Sequence, residues 1–483
     1  MRRFSTIALA ATILAMLAAA TANAGERLYW ANNDGNLINW IDLAIGSGGN
    51  LDTTGSTAPA APRGVAVDAA SSRVYWVDNN GLHYASADSS GGGHDVPAAG
   101  ATFAAPSGLD LDLATGRAFW ANTGSNTIGW ASLSGAGGGS LDLSGSAAGT
   151  SYQGVAVDNS SGRIYFTSTT GVNLARLDGG GSAAFGGASG TDGRDVAVDH
   201  AHGLLYWLDG DTIKFNDLGQ TGGSTPVSIA PVGYADQSFG IAVDRAAGRL
   251  IFVSMIDYSA PLRAVTLATP TGNGQYISAA GAGVHHSYYP YLLASPVSLG
   301  GPTVSGSSVP AKLTCNSGGW QVASNGSHAS PAPRDVAISW TFNGAPLAGA
   351  TGKTLAASVP GSYSCTETAS NLAGATTATS SAAGLRPSSS FKLGRISYSK
   401  RKGTATFKLT PAYKTGRLKI SGAGVSASQK SKSGVITATV KAKGSSKKTL
   451  ARRGKVTLKA KLTWTPAGGP AKSQVKTLKL VKR

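Results

Sequence analysis

A five-residue run, Gly64-Val65-Ala66-Val67-Asp68, recurs with small changes about every 45 residues through the first 300 positions, and no other feature restricts the fold as strongly. It returns as Gly108-Leu109-Asp110-Leu111-Asp112, Gly154-Val155-Ala156-Val157-Asp158, Asp195-Val196-Ala197-Val198-Asp199 and Gly240-Ile241-Ala242-Val243-Asp244. The steps between the closing aspartates are 44, 46, 41 and 45 residues. A repeat of this length, rich in strand formers and turn residues, is one supersecondary unit that buries its apolar faces only by stacking on its neighbours.

Each copy has a second half at a fixed offset. Five residues after the aspartate stands Arg73, Arg117, Arg163 or Arg249, with Leu204 in the remaining copy. Two large apolar residues follow: Tyr75-Trp76, Phe119-Trp120, Tyr165-Phe166, Tyr206-Trp207 and Ile251-Phe252. A sixth pair, Tyr29-Trp30, lies behind Arg27. The residues between Asp and Arg are turn formers, so each unit reads as strand, tight turn, strand. Further strands are expected around 38–43, 173–178 and 213–218, and glycine runs such as Gly91-Gly92-Gly93 lead towards an outer strand. The expected class is all-β, with a six-bladed β-propeller over residues 25–296. One period beyond Asp244 falls on Tyr288-Tyr289-Pro290-Tyr291-Leu292-Leu293, which could complete the first blade and remove the exposed edges.

Tyr75-Trp76-Val77-Asp78, Tyr206-Trp207-Leu208-Asp209 and Leu177-Asp178-Gly179 resemble the YWTD repeats of low-density-lipoprotein-receptor-type propellers. The resemblance implies six blades. The other copies drift from the motif, as in Phe119-Trp120-Ala121-Asn122 and Tyr165-Phe166-Thr167-Ser168. The closing aspartates Asp68, Asp112, Asp158, Asp199 and Asp244 are read as caps of the turns that follow them, and the repeated arginines as their local partners.

Residues 1–24 read as a secretory signal: Arg2-Arg3, an apolar run, then Ala22-Asn23-Ala24 as a small-x-small cleavage site. The chain is therefore expected outside the cytoplasm, secreted or associated with the cell wall. No later run of about 18 apolar residues suggests a membrane span.

Residues 297–384 hold the two cysteines, Cys315 and Cys365, with Trp340 midway and Tyr363 two places before the second. This pattern resembles the immunoglobulin fold, which implies a core around Trp340 and Tyr363. In an exported chain the cysteine pair reads as a disulfide, with two buried thiols as the alternative. Residues 385–390 read as a linker.

The formal charge of +18 is unevenly placed. Of the 42 Lys and Arg residues, 25 lie from Ser388 onward, where there is no acid; the other 17 face all 24 acids, leaving −7 for residues 1–387. Alternation in Val456–Trp464, Ile436–Ala442 and Arg417–Ile420 marks strands with one wet face. Residues 391–483 are thus expected to form a small basic β-sandwich, resembling lysine-rich C-terminal domains of secreted proteins from high-GC Gram-positive bacteria. Two readings stand: attachment to an anionic envelope polymer, or lysines that only protect strand edges and keep the module soluble. Nucleic acid is not the expected partner, because few aromatics are available to stack bases.

The residues offer little for catalysis. Glu26 and Glu367 are the only glutamates, and neither lies within the repeats proper. There is no His-Glu-x-x-His or Gly-x-Ser-x-Gly pattern. Asn32–Asn36 and Asp209-Gly210-Asp211 read as turns, not Ca²⁺ loops. Of the histidines (His83, His94, His200, His202, His285, His286 and His328), His200 and His202 are expected exposed in a turn, while His285-His286 could contact a ligand. No catalytic, cofactor or metal residue is assigned. The expected function is non-catalytic binding or adhesion, with an unidentified protein or glycan ligand at the propeller face. The alternatives are a metal-dependent, lactonase-like propeller hydrolase or lyase, and a structural component of a surface matrix.

Overall fold

The computed structural model describes residues 25–144, 149–190, 192–200, 202–210, 212–219, 227–229, 238–244, 247–254, 262–266, 275–276, 287–322, 325–432 and 434–483. The signal sequence expected at 1–24 and the pair His285-His286 lie outside the described residues. Contacts divide the chain into two compact units. The first runs to residue 299 and also takes in 320–336 and 368–377; the second comprises 300–319, 337–367 and 378–483.

The first unit is a propeller. Its described residues form six sheets, five of four strands and one of five. The inner strands are Gly64–Asp68, Pro106–Asp112, Val155–Asp158, Gly193–Asp199, Ser238–Asp244 and Ser287–Leu293. Each touches the next, and the last touches the first, so the ring is closed. Ser287–Leu293 pairs antiparallel with Arg27–Asn32, which joins the late strand to the earliest blade. An early and a late segment thus share one sheet, as the repeat arithmetic predicts.

The aromatic pairs set the spacing between blades. They lie in second strands such as Arg73–Asp78 and Arg117–Asn122, and every member is buried. Neighbouring residues on a strand point to opposite faces, and the pairs divide accordingly. Phe119 joins the apolar cluster shared with the following blade and Trp120 the cluster shared with the preceding one. Tyr165 and Phe166, Tyr206 and Trp207, and Ile251 and Phe252 split in the same sense. Tyr29 and Trp30 do likewise.

The repeat glycine has a separate cause. Adjacent inner strands converge so closely that a Cβ on Gly64 would meet Ser107 O at 2.4 Å, and one on Gly154 would meet Asp195 Cα at 2.4 Å. Gly154→Ala should therefore destabilise the propeller by about 1–3 kcal/mol through overpacking. Thermal melting checks this, with Gly162→Ala as the comparison for left-handed turn strain in open space (φ 67°).

The second unit begins with two sheets. One contains Thr303–Val304, Ala311–Asn316 and Thr354–Ala357; the other includes Asp335–Phe342, Gly361–Asn371 and Ala383–Pro387. Cys315 and Cys365 form a disulfide between them, packed with buried Trp340 and Tyr363. Trp340 Nε1 donates to Gly352 O at 2.8 Å, and the Tyr363 hydroxyl donates to Val359 O at 2.8 Å. The expected linker at 385–390 begins too early. Residues up to Pro387 belong to a strand, with Arg386 N donating to Ser307 O, because Leu385 is needed in the core.

Residues 391–483 form a five-stranded and a three-stranded sheet around one core that includes Phe407, Val440, Leu462, Trp464 and Leu478. A helix not foreseen from the alternating pattern, Ser445–Arg453, adds Leu450 to that core and stops at Gly454 (φ 66°). Among the described residues no helix is long and apolar enough to cross a membrane.

Candidate functional site

The closing aspartates work locally. Asp68 Oδ1 accepts from Ala70 N at 3.0 Å, and Asp112 Oδ1 from Thr115 N at 3.1 Å. Asp158 accepts from the backbone and hydroxyl groups of Ser160 and Ser161, and Asp244 from Ala247 N. Asp199 pairs with His202 Nδ1 at 2.6 Å. The arginines are less uniform than expected. Arg117 and Arg249 pair with Asp112 and Asp244 at 3.3 and 2.7 Å, while Arg73 lies over the Tyr84 ring at 4.4 Å. Arg117 Nη1 also reaches Leu177 O in the next blade, and Arg27 Nη1 reaches Ala87 O in the same way. This side chain is therefore partly an inter-blade clamp.

His200 departs from the exposed state expected of it. Its side chain is 26% exposed and bonds Asp158 Oδ1 across the blade boundary at 2.8 Å. Burial alone would raise the Asp158 carboxyl, but the bonds from His200, Ser161 and Ser160 bring it down to about 2. His202 remains largely exposed.

Asn32–Asn36 is a hairpin turn, closed by Gly35 N donating to Asn32 Oδ1 at 3.0 Å, with Asn36 in the left-handed region (φ 52°). A polar layer opposes the second aromatic of the blades. His83 lies across from Trp76 and Lys214 across from Trp207. His83 is buried with Nδ1 on Asp95 at 2.7 Å and Nε2 on Asp78 at 3.2 Å. Burial works against its charge, but the two carboxylates prevail and its pKa is raised. Lys214 pairs with Asp209 in the equivalent place.

The most concentrated chemistry lies at the propeller axis, and His328 is its centre. This residue is remote in sequence from the blades, between the strands that carry Cys315 and Trp340. Its Nδ1 bonds Ile241 O at 2.9 Å and its Nε2 bonds Val155 O at 2.8 Å. A carbonyl oxygen only accepts, so both ring nitrogens carry protons and the ring is an imidazolium. Asp195 Oδ2 lies 3.9 Å from Nδ1. Burial opposes the charge on His328, but Asp195, Asp110 and the two carbonyls raise its pKa.

Asp110 and Asp195 also tie blades together. Asp110 Oδ2 accepts Val157 N from the following blade at 2.8 Å, and Asp195 Oδ2 accepts Ile241 N at 2.8 Å. Tyr291 donates to Asp110 Oδ1 at 3.2 Å, and Tyr289 and Ser107 share a hydroxyl bond at 2.8 Å. Burial holds Asp195 up to about 7 and raises Asp110, against the pull of His328.

The backbone around His328 completes the seal. Gly326 O, Ser327 O and His328 O accept from Val198 N, Val243 N and Leu292 N at 2.8–2.9 Å. Ser330 takes Ala294 N on its carbonyl at 3.1 Å and Ala69 N on its hydroxyl at 3.1 Å. N–H groups in or just past the inner strands Gly64–Asp68, Gly193–Asp199, Ser238–Asp244 and Ser287–Leu293 thus end on this one segment. A buried donor without a partner costs about 1–3 kcal/mol, so the segment is part of the propeller. That corrects the expected boundary at 296/297. Residues 368–377 belong there too, as Asn371 Nδ2 donates to Ala294 O and Ala332 O at 2.8 and 2.9 Å.

Sequence reasoning passed over these residues, although a signal was present. Asp110 replaces the small central residue of the inner strand, and Asp195 replaces its glycine. Nothing local marked His328 as their partner. Away from the axis, a crevice of about 510 Å³ is lined by Asp112, Thr115, Arg117, Arg163, Arg176 and Asp178. Another, of about 670 Å³, runs past Asp68, Arg73, Tyr75, Leu133 and Val322. Both follow the turns between first and second strands. Among the described residues no group of three or more His, Cys, Asp or Glu side chains is placed to hold a metal ion.

No family model matches the sequence, and no curated protein matches it. Among solved structures, one chain of a nidogen/laminin complex is similar at 16% identity and TM-score 0.43, over 56% of this chain and 98% of that one. A putative TolB from Agrobacterium tumefaciens is similar at 10% identity and TM-score 0.38, over 56% and 97%. A functionally unknown protein from Desulfotomaculum acetoxidans DSM 771 gives 12% and 0.35, over 52% and 83%.

Proposed function

We propose that this chain is an exported, non-catalytic binding protein. Its YWTD-like propeller is the recognition platform, its immunoglobulin-like domain a spacer, and its lysine-rich module an electrostatic attachment to an anionic cell-envelope polymer. The observation that carries the reading is the separation of charge: 25 cations and no acid from Ser388 onward, in a folded module whose sheets carry many of them, beside a net −7 for the rest. Charge of one sign on a rigid surface favours an oppositely charged partner and repels its own compaction.

The axis holds the blades together. Its histidine and carboxyls are engaged with backbone groups of several blades, so they serve cohesion. A protein or glycan ligand is better matched by the two crevices, where guanidinium, carboxylate and hydroxyl groups are arrayed over several blades.

The test is cosedimentation of the mature chain with isolated envelopes across a salt series, with and without residues 388–483. Pelleting should require that segment and fade between low and moderately high salt, as screening shortens the reach of the charges. Equal pelleting of the truncated chain would overturn the attachment role and make the propeller or the immunoglobulin-like domain the adhesin.

A further inference from the structure

We infer that the attachment surface is the outer face of the three-stranded sheet in the C-terminal module, and that its ligand is a flexible phosphate polymer. The inference rests on the attachment reading above and assigns it a face and a chemistry. The sheet consists of Gly416–Ser421, Lys455–Pro466 and Lys472–Val481, with Lys455–Pro466 in the middle. Its inner face is locked in register by Leu418, Leu458, Leu462, Trp464, Leu478 and Leu480, all buried. The alternation of a strand then sends Arg417, Lys419, Lys455, Lys459, Lys461 and Lys479 outward, and all six are exposed.

These cations form a checkerboard. Arg417 stands opposite Thr465 and Lys419 opposite Thr463; Lys461 lies between Ser421 and Val475. Lys459 stands opposite Thr477, Lys479 opposite Thr457, and Lys455 opposite Val481. No two of the six face each other directly across the ladder, where like charges destabilise a sheet. The arrangement reaches a high charge density while avoiding its most costly contacts.

Edge protection does not account for it. A lysine guards a sheet by blocking an exposed edge, yet Lys461 lies on the middle strand with ladder partners on both sides, Ser421 and Val475. The chemistry of the face narrows the ligand. Hydroxyls beside the ammonium groups let one phosphate oxygen take bonds from both, the donor set that holds phosphates elsewhere. Five of the six cations are lysines, point charges that do not demand bidentate geometry and so tolerate a polymer in many registers. The face carries no exposed aromatic on which bases could stack, which disfavours single-stranded nucleic acid.

The test uses the full chain and long-chain inorganic polyphosphate, with binding followed by fluorescence anisotropy across a salt series. One variant carries Lys459→Thr, Lys461→Thr and Lys479→Thr. The other carries Lys392→Thr, Lys408→Thr and Lys441→Thr, which removes equal charge from the five-stranded sheet. Thermal melting and circular dichroism verify that both remain folded. The first variant should lose about tenfold or more in affinity, and its log–log salt slope should fall by about two; the second should lose less than about threefold. Equal losses in the two variants, or no loss in the first, would overturn the assignment of the face. Tighter binding of poly-L-glutamate than of polyphosphate at matched charge would overturn the phosphate chemistry. If polyphosphate does not bind while envelope pelleting still needs residues 388–483, this inference fails and the attachment reading survives. If pelleting does not need them, the attachment reading itself fails.

Discussion

Replacing His328 with alanine should lower the melting temperature of the propeller by roughly 10 °C, although the residue lies more than 30 positions beyond the late inner strand Ser287–Leu293. The imidazolium donates to two carbonyls and faces Asp110 and Asp195, all fully buried. Above about pH 7, where Asp195 is ionised, removing one partner from this buried charge pair leaves the other charge uncompensated, a loss of about 3–5 kcal/mol. Substitution by glutamine keeps a hydrogen-bond donor and restores no charge, so it should recover only part of the loss. Combining His328→Gln with Asp195→Asn removes the cation and one carboxyl together, and should cost less than the sum of the two single changes. The double-mutant cycle, read by thermal melting, measures that coupling. Additive losses would show that His328 fills space without joining the carboxyls.

The same cluster gives stability a pH dependence of definite sign. His328 has a raised folded pKa, so its contribution is complete below the unfolded value of 6.5 and is lost as pH climbs through the folded value. Asp195 and Glu26 are each held up to about 7 by burial, and Asp110 is raised as well. A carboxyl with a raised folded pKa binds its proton more tightly in the folded state, so stability again falls as pH rises from about 4 towards 7. Asp158 opposes this only at low pH, where its bonds are lost as pH drops from about 4 through 2. The propeller should therefore melt highest in mildly acidic solution and lose several degrees by pH 8, and His328→Gln should flatten the profile above pH 6.5.

These residues also show where sequence reading stops. Blade number and ring closure follow from a period that repeats in one dimension, because inner strand, turn and aromatic pair are all local. The checkerboard of the basic module is equally local, since alternation places Lys459 and Lys461 on the wet face. The axial cluster is different. Asp110 and Asp195 stand out only against the small residues of their sister strands, and His328 comes from a segment far along the chain from the repeats. Its partners lie 87 and 173 residues away, with no periodicity to relate them. The linker boundary fails for a similar reason: Arg386-Pro387 has turn composition, yet Leu385 is pulled into a strand by a core built mostly from distant residues. Composition speaks for local conformation, and packing decides whether a residue belongs to a strand or a tether.

Removing the disulfide by the double change Cys315→Ser and Cys365→Ser should be the other large effect, confined to a different part of the chain. The bridge spans 50 residues and joins the two sheets at the level of Trp340. Opening a loop of that length releases unfolded-state entropy equivalent to about 4 kcal/mol. The surrounding core is small, with Val309, Leu313, Trp340, Tyr363 and Leu385 as its main apolar members, so little else offsets the loss. Hydrogen exchange should then speed up by about a thousandfold in Ala311–Asn316 and in residues 361–367, following the conversion of free energy to population. Protection in Arg73–Asp78 and Arg117–Asn122 should hold, because those strands owe their order to inter-blade packing. Residues 326–330 separate two outcomes. If they stay protected in the double variant, the axial hydrogen bonds alone retain the segment in the propeller. If their protection collapses together with the sandwich strands, the propeller's axis depends on the covalent order of the domain that supplies it, and reduction of one disulfide would loosen both.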